Sequence, residues 1–189
     1  MTHATSSSLE TAFIGKPAPL FAMPSTKNLK TLEERISLSD YRGKWLVLLF
    51  YPLDFTFVCP TELTAFSDRQ AEFAKEGAEI LGVSTDSVFS HRAWIQLPRD
   101  KGGLGDLGYP LASDMTREVS RAYGVLLEEA GHTLRGTFII DPHGKLRYAL
   151  VHDNDIGRSV DETLRSLQAL KSGGLCAVNW KPGDANLAG

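Results

Sequence analysis

The longest unbroken apolar run, "WLVLLFY", occupies residues 45–51 and is followed by Pro52. The run is too short for an average helix, and strands with apolar residues on both faces are typical of a sheet that is covered on both sides. We therefore predict a central buried strand that ends at Pro52.

A helix is predicted to follow this strand. Residues 62–76 repeat apolar side chains at helical spacing, and Gly77 marks the expected end of the helix. Its predicted apolar face comprises Leu63, Phe66, Phe73 and Ala74.

The same order of strand and helix then repeats. "AEILGVSTD", residues 78–86, has the apolar pattern of a second strand. Thr85 or Asp86 is available to cap a helix over residues 87–97, which we expect to end before Pro98.

The C-terminal third predicts a hairpin and a closing helix. Residues 134–141 and 145–153 flank the turn-forming "PHG", and Ser159 with Glu162 has the spacing of a capping box. The apolar face of the closing helix is predicted to comprise Val160, Leu164, Leu167 and Leu170. Together these elements predict an α/β or α+β sandwich in three layers around one central sheet.

Composition and charge narrow the function classes. The chain has 189 residues, of which 42% are hydrophobic and 23% charged, and these values are ordinary for a globular protein with one core. Its net charge of −3 gives no general basic surface for nucleic acid or anionic lipid. No apolar run is long enough to cross a membrane, and "MTHATSSSLE" lacks the features of a signal peptide, so we expect a cytoplasmic location.

Chemistry is expected at one of the two cysteines, Cys59, which precedes Pro60 at a strand-to-helix junction. If Pro60 is the first helical residue, Cys59 is the N-cap, where free backbone N–H groups and the helix dipole favour a thiolate. The alternative is that Cys59 is a small buried apolar residue, the commonest fate of a free cysteine. The position of Cys59 alone does not decide between them.

Three neighbours favour a reactive thiol. Thr56 can offer a hydroxyl, Pro52 can shield the sulfur, and Glu62 lies one helical turn beyond Cys59. Each has an ordinary structural role as an alternative: a turn hydroxyl, a strand terminator and a first-turn acid. Together, the spacing P-x-x-x-T-x-x-C resembles the active-site signature of the peroxiredoxins.

The resemblance extends over residues 13–182. The segments "GVSTDSVFSHRAW", "PRDKGGLG", "YPLASD", "LRGTFIIDP" and "GRSVDETLR" are similar to segments of that family in the same order. It implies a thioredoxin-like fold, with a central mixed β-sheet flanked by helices, and a thiol-dependent peroxidase that needs no metal, haem or flavin. The expected substrate is hydrogen peroxide or an organic hydroperoxide, which oxidises the cysteine to a sulfenic acid.

Other site residues are carried over by position. Arg135 matches the active-site arginine of the family, Arg158 a supporting arginine, and Trp94 a nearby aromatic residue. Their alternatives are a surface charge at a strand end, a charge flanking a helix, and core packing. The loop "NDIGRS" before Arg158 is shorter than the related family loop. None of the five histidines is assigned to catalysis.

Cys176 is the expected resolving cysteine. It lies in "LCAVNW", which resembles the family's resolving segment, although Ala177 replaces its usual proline. The resemblance implies an intersubunit disulfide between Cys59 and Cys176, a homodimer that often assembles into a decamer, and reduction by thioredoxin or a flavoprotein disulfide reductase. An incidental surface thiol is the alternative.

These inferences divide the chain into a flexible tail over residues 1–12, a thioredoxin-like domain over 13–172 and a C-terminal arm over 173–189. "GGLG", residues 102–105, resembles members that are sensitive to over-oxidation, but the tail "KPGDANLAG" lacks their terminal Tyr-Phe dipeptide. We therefore expect easier local unfolding and relative resistance to over-oxidation.

Two other functions are the alternatives. A disulfide oxidoreductase of the C-x-x-C type is disfavoured because position 62 is Glu62. The second is a ring-forming holdase chaperone or scaffold in which both thiols are incidental.

Overall fold

The apolar run that begins at Trp45 forms the middle strand of a five-stranded sheet, over residues 45–50. The computed structural model describes residues 11–188. Its strands are β1 (Ala22–Pro24), β2 (Arg35–Ser37), β3 (Trp45–Phe50), β4 (Ala78–Ser84), β5 (Leu111–Ser113), β6 (Leu126–Leu127), β7 (His132–Thr133), β8 (Arg135–Ile140) and β9 (Leu146–His152). Its α-helices are α1 (Val58–Asp68), α2 (Gln70–Lys75), α3 (Val88–Gln96), α4 (Glu118–Ala122) and α5 (Val160–Ser172).

The sheet is mixed, in the order β5-β4-β3-β8-β9. β3, β4 and β5 run parallel, whereas β8 pairs antiparallel with both β3 and β9. The predicted central strand and the predicted hairpin of β8 and β9 are therefore confirmed. The start of β8 lies beside the end of β3, so that Arg135 comes close to the loop that leads into α1.

Side chains of β3 alternate between two apolar clusters, one on each face of the sheet. Leu48 and Phe50 belong to the cluster under β1, β2 and α4. Val47 and Leu49 belong to the cluster under α1, α2, α3 and α5. Because both faces are covered, the continuous apolar pattern of β3 is explained and the predicted three-layer arrangement is confirmed.

The predicted helix over 62–76 is wrong in its bounds. The chain forms two helices: α1 begins at Val58 and ends at Asp68, and the short α2 begins after Arg69, whose φ of −107° leaves the helical range. No glycine or proline marks the break. The Arg69 side chain instead pairs with Asp161 at the start of α5, a tertiary contact that the local pattern does not contain. Gly77 follows α2 with a φ of 68°, in the left-handed region.

The faces of these helices are mostly as predicted. Leu63 and Phe66 in α1 and Phe73 in α2 are buried, but Ala74 is exposed and its assignment to the apolar face was wrong. In α5, Leu164 and Leu167 are buried. Val160 and Leu170 of α5 pack partly buried against the same cluster.

The cap of α3 is Ser87, and neither Thr85 nor Asp86 fills that position. The Ser87 hydroxyl oxygen accepts the backbone N–H of Ser90 at 3.2 Å. Asp86 is occupied elsewhere, because its carboxylate accepts the backbone N–H of Asp54 at 2.9 Å. Thr85, Asp86 and Ser87 are consecutive in the chain, so local spacing alone cannot tell which of them caps α3 when Asp86 has a partner far away in the sequence.

The predicted capping box of α5 is half formed. Ser159 Oγ accepts the backbone N–H of Glu162 at 3.1 Å, as expected. The Glu162 carboxylate does not return to Ser159; it accepts bonds from Arg165 and Ser166. The cap is therefore a single hydrogen bond.

The flexible tail predicted over residues 1–12, with His3, lies outside the described residues except for residues 11 and 12. The backbone N–H of Ala12 donates to Ala122 O at 2.8 Å. None of the helices within residues 11–188 combines the length and apolar character that a membrane crossing requires.

Candidate active site

Cys59 lies in the first turn of α1, with no exposed surface. The helix begins at Val58, so Cys59 is its second residue, and the prediction that it is the N-cap is wrong. Pro60 is then the third helical residue, where it is tolerated because N–H groups of the first turn have no partner within the helix. The sulfur still lies at the positive end of the helix dipole, where negative charge is favoured.

The Arg135 side chain reaches Cys59 from the first position of β8. Its Nη1 donates to Cys59 Sγ at 3.2 Å. The same guanidinium is held from behind, because Nε and Nη2 both donate to the backbone oxygen of Asn154, at 2.9 and 2.7 Å. Arg135 is 3% exposed, which rules out the surface-charge alternative for it.

Glu62 joins Arg135 to the second arginine. One of its oxygens, Oε2, accepts from Arg135 Nη1 at 2.7 Å, and the other, Oε1, accepts from Arg158 Nε at 2.9 Å. Arg158 also donates through Nη1 to Phe50 O and Gly136 O, each at 2.9 Å. Arg158 is thus a buried part of the site, despite the shorter loop that precedes it.

The formal charges of this cluster do not cancel without the sulfur. Two guanidinium groups and one carboxylate leave one net positive charge in a buried region, and such a charge requires a partner. A negative charge on Cys59 Sγ, which accepts from Arg135 Nη1 at 3.2 Å, would balance it. The arrangement therefore favours an anionic sulfur.

The pKa values of the cluster agree with this charge pattern. Burial opposes ionisation of Glu62, but the charge and hydrogen bonds of Arg158, helped by Arg135, outweigh it and hold the pKa of Glu62 below its usual value. Burial likewise lowers the pKa of Arg135, and the contacts with Cys59 and Glu62 more than offset this, so that its pKa is raised overall. Both groups are charged at neutral pH.

Thr56 and Pro52 occupy the loop between β3 and α1. Thr56 Oγ1 donates to Leu53 O at 3.0 Å, the turn contact that was its alternative role, and its lone pairs remain available as acceptors. Pro52 is buried, two residues after the end of β3.

Trp94 is fully buried in the apolar cluster that also contains Cys59. Its indole N–H donates to Gly102 O at 2.9 Å, and its ring packs 6.1 Å from that of Tyr51. These contacts favour the core-packing role for Trp94.

Cys176 lies apart from this cluster, beyond the C-terminal end of α5. It is a partly buried free thiol, with Sγ 3.4 Å from Ser172 Oγ and 3.7 Å from Ala169 O. Cys59 is also a free thiol. Within one chain, Cys59 and Cys176 therefore occupy separate environments.

Sequence reasoning missed several polar residues around the site. Asn154 holds Arg135 through its backbone, which no side-chain motif could indicate. Asp54, His91 and Tyr51 form a buried hydrogen-bonded cluster beneath the loop. An acid inside the apolar stretch "FYPLDF" was the available signal for this cluster.

Comparison with known proteins identifies the chain. Residues 14–149 match the AhpC/TSA family. The chain belongs to this family. The chloroplastic 2-Cys peroxiredoxin BAS1 of barley, Hordeum vulgare, is 53% identical over 179 residues, covering 92% of this chain and 84% of that protein.

Solved structures agree with the family. Reduced 2-Cys peroxiredoxin of Plasmodium vivax has a TM-score of 0.88 and 37% sequence identity, covering 93% of this chain and 92% of that one. Plasmodium yoelii Prx1a, modified at its N-terminus and described as an artifactual octamer, has a TM-score of 0.78 and 38% identity, covering 89% of this chain and 99% of that one. The fold is thioredoxin-like, and the protein is a thiol-dependent peroxidase.

The alternative function as a ring-forming holdase has no support in these comparisons. Among the described residues, no group of three or more His, Cys, Asp and Glu side chains is gathered closely enough to hold a metal ion. The chemistry that the site offers is that of a thiol beside a fixed cation.

Proposed function

We propose that Cys59 is the peroxidatic cysteine of this enzyme. The observation that carries the proposal is the bond of 3.2 Å from Arg135 Nη1 to Cys59 Sγ, in a buried cluster whose other charges sum to +1. The thiolate attacks one oxygen of a hydroperoxide and the O–O bond breaks. The sulfur becomes a sulfenic acid, and the departing oxygen takes up a proton to leave as water or an alcohol.

The surrounding residues have distinct roles in this proposal. Arg135 stabilises the negative charge that moves from sulfur to the departing oxygen, because its guanidinium is already fixed by Asn154 and Glu62. Glu62 and Arg158 hold that guanidinium in place. Thr56 accepts a hydrogen bond from the peroxide, and Pro52 limits water at the sulfur.

We propose that Cys176 of a partner subunit resolves the sulfenic acid. A disulfide requires Cα atoms within about 7 Å, and Cys59 has no exposed surface, so the first turn of α1 must open before the two sulfurs meet. In this scheme, residues 13–172 form the catalytic domain and residues 173–189 an arm that delivers Cys176. The products are an intersubunit disulfide and water.

Assembly and recycling follow from the same scheme. A homodimer is the minimum unit of this scheme, and we propose that homodimers assemble further into a decamer. Thioredoxin or a flavoprotein disulfide reductase would reduce the disulfide. The cycle needs both thiols to be returned to the reduced state, and for this reason we propose a cytoplasmic location.

Single cysteine variants test the scheme. Cys59→Ser is expected to abolish peroxide consumption with a dithiol reductant, and residual turnover at the wild-type rate would show that the nucleophile is another group. On a non-reducing gel, peroxide should convert the wild type to a covalent dimer that Cys176→Ser cannot form. A monomer band in both proteins would instead indicate a mechanism with one cysteine.

A further inference from the structure

The loop between β3 and α1 rests on a buried polar cluster that the proposed mechanism does not use. Asp54, two residues before Thr56, turns its carboxylate inward, where the side chain is 1% exposed. One carboxylate oxygen accepts the Tyr51 hydroxyl at 2.8 Å, and the other lies 2.8 Å from His91 Nδ1. His91, from α3, is completely buried. The loop is therefore joined to α3 by a buried pair of ionisable side chains.

Both nitrogens of the His91 ring face hydrogen-bond acceptors. Nδ1 faces the Asp54 carboxylate, and Nε2 lies 3.3 Å from the backbone oxygen of Ala112, which can only accept. The His91 ring is therefore held between the Asp54 carboxylate of the loop and the backbone of Ala112 in β5.

The other titratable groups of this cluster are the acids Asp86 and Tyr51. Asp86 accepts the Asp54 backbone N–H at 2.9 Å, and burial together with the charge of Asp54 raises the pKa of Asp86. Burial, followed by the charge of Asp54, raises the pKa of Tyr51 well above its usual value, so its hydroxyl stays a neutral donor. His91 is the group of this cluster that can carry positive charge.

The backbone beside Asp54 is strained. Phe55 has a φ of 56°, in the left-handed region that a bulky side chain rarely adopts. Its ring lies 5.7 Å from that of Trp94, yet 53% of the residue is exposed. Such a strained conformation persists only where neighbouring contacts impose it. The buried hydrogen bonds of Asp54 are the contacts next to Phe55 in the chain.

We propose that Asp54 and His91 form a latch that holds the loop in its folded conformation, and that release of this latch limits how fast Cys59 leaves its site to form the disulfide. The inference rests on the proposed function, in which Cys59 becomes a sulfenic acid. In this proposal, Asp54 and His91 are positioning residues that do not touch the peroxide.

The latch then determines which of two reactions consumes the sulfenic acid. If the loop opens, the sulfenic acid condenses with the Cys176 thiol to give a disulfide and water. If the loop stays folded, a second hydroperoxide transfers one oxygen to the sulfur, giving a sulfinic acid and an alcohol or water. A weaker latch therefore favours the disulfide over the sulfinic acid.

Asp54→Asn tests the latch with little change of shape. The amide can still accept from Tyr51 and hydrogen-bond to His91, so the hydrogen bonds survive while the negative charge of the carboxylate is lost. The matched control is Asp114→Asn, since Asp114 is also a buried carboxylate but accepts from Ser120 N and Oγ, both at 2.6 Å, away from the loop. Each full-length protein is reduced, treated with increasing hydrogen peroxide, and analysed by mass spectrometry for disulfide and sulfinic acid.

Asp54→Asn should need about tenfold more peroxide than the wild type to convert half of Cys59 to sulfinic acid. Its initial rate of Cys59 oxidation should stay within about twofold, because the folded loop still predominates before oxidation. Asp114→Asn should match the wild type in both quantities, even if its midpoint of unfolding falls.

Several results would overturn the latch. One is an equal shift of the sulfinic acid threshold in both variants; another is no shift in Asp54→Asn. A large fall in the oxidation rate with an unchanged threshold would show that Asp54 acts in the peroxide site itself. If Asp54→Asn does not fold, Tyr51→Phe removes one bond to Asp54 and should shift the threshold about threefold in the same direction; no shift there would reject the latch. Failure of the wild type to oxidise Cys59 would reject the proposed function instead.

Discussion

At the residue scale, one guanidinium nitrogen serves two partners. Arg135 Nη1 lies 3.2 Å from Cys59 Sγ and 2.7 Å from Glu62 Oε2. Its remaining nitrogens are fixed by Asn154 O, so the group cannot follow either partner if one moves. A rigid fork of donors suits a reaction in which negative charge moves from sulfur to oxygen over a short distance.

Arg135→Lys should therefore slow the reaction with peroxide even though the charge is retained. A lysine ammonium is a single point of charge and cannot hold Asn154 O, Glu62 and Cys59 with the same geometry. We expect the second-order rate constant for hydrogen peroxide to fall about 100-fold, the typical effect of losing one donor to a developing anion. Rapid-mixing measurements of Cys59 oxidation give this constant directly.

Arg147→Lys is the matched control, because Arg147 on β9 is partly exposed and pairs with Asp141 at 3.4 Å. It should react like the wild type. If Arg135→Lys also keeps its rate within threefold, a positive charge alone suffices and the fixed geometry of Arg135 is not needed.

At the scale of elements, the segment "GGLG" supports the wall behind the active-site loop. Trp94 in α3 donates its indole N–H to Gly102 O, and the Leu104 N–H donates to Trp94 O at 3.0 Å. Leu104 has no exposed surface. The segment therefore fixes the end of α3 and the position of Trp94 beside Tyr51, in addition to any role in over-oxidation.

Gly102 and Gly103, the first two glycines of this segment, differ in the room that the fold leaves for a side chain. A Cβ on Gly103 would clash with the backbone oxygen of Leu97, whereas a Cβ on Gly102 would meet nothing within 4 Å. Gly102 has a φ of 82°, so alanine there meets only backbone strain of about 1–2 kcal/mol. Gly103→Ala must displace backbone, and we expect a loss of at least about 3 kcal/mol.

Urea unfolding of both alanine variants measures these losses. Similar free energies of unfolding for Gly102→Ala and Gly103→Ala would mean that the end of α3 can move aside without cost. The close packing of "GGLG" would then not fix Trp94.

At the scale of the whole molecule, the C-terminal arm folds back on α5 through Trp180. The Trp180 residue is 6% exposed, its indole N–H donates to Asp184 O at 3.1 Å, and its backbone oxygen accepts from Arg165 at 3.1 Å. Leu175 and Leu187 also form a backbone bridge. Cys176 is thus carried on a segment with its own small set of contacts, separate from the sheet.

Trp180→Ala should release the arm without unfolding the rest of the protein. Limited proteolysis is expected to cut within residues 173–189 at least about tenfold faster, since cleavage follows local opening, while the midpoint of global unfolding changes little. Val178→Ala is the control, because Val178 is 89% exposed. Equal cleavage of the two variants would show that Trp180 does not anchor the arm.

The sequence by itself determined the elements whose pattern is local. Six residues of the apolar run form β3, because side chains that are apolar on both faces of a strand need a covering layer on each side. Ser159 caps α5 as its spacing indicated. The motif of Pro52, Thr56 and Cys59, with Arg135 and Cys176, identified the family before any contact was known, because reactive thiols need a few residue types at fixed spacing.

Only the tertiary structure decided the features that depend on distant partners. Arg69 interrupts the helix where it meets Asp161, and the start of α1 lies at Val58, which makes Cys59 its second residue. Glu62 is an ordinary acid in the sequence, but two arginines from β8 and from the turn before α5 surround it in the fold. Asp54 and His91 are separated by 37 positions in the sequence. Their interaction is strong because the fold buries both side chains between β3 and α3. Charge balance in a buried region is a property of all the side chains that the fold brings together, so no local pattern could have supplied it.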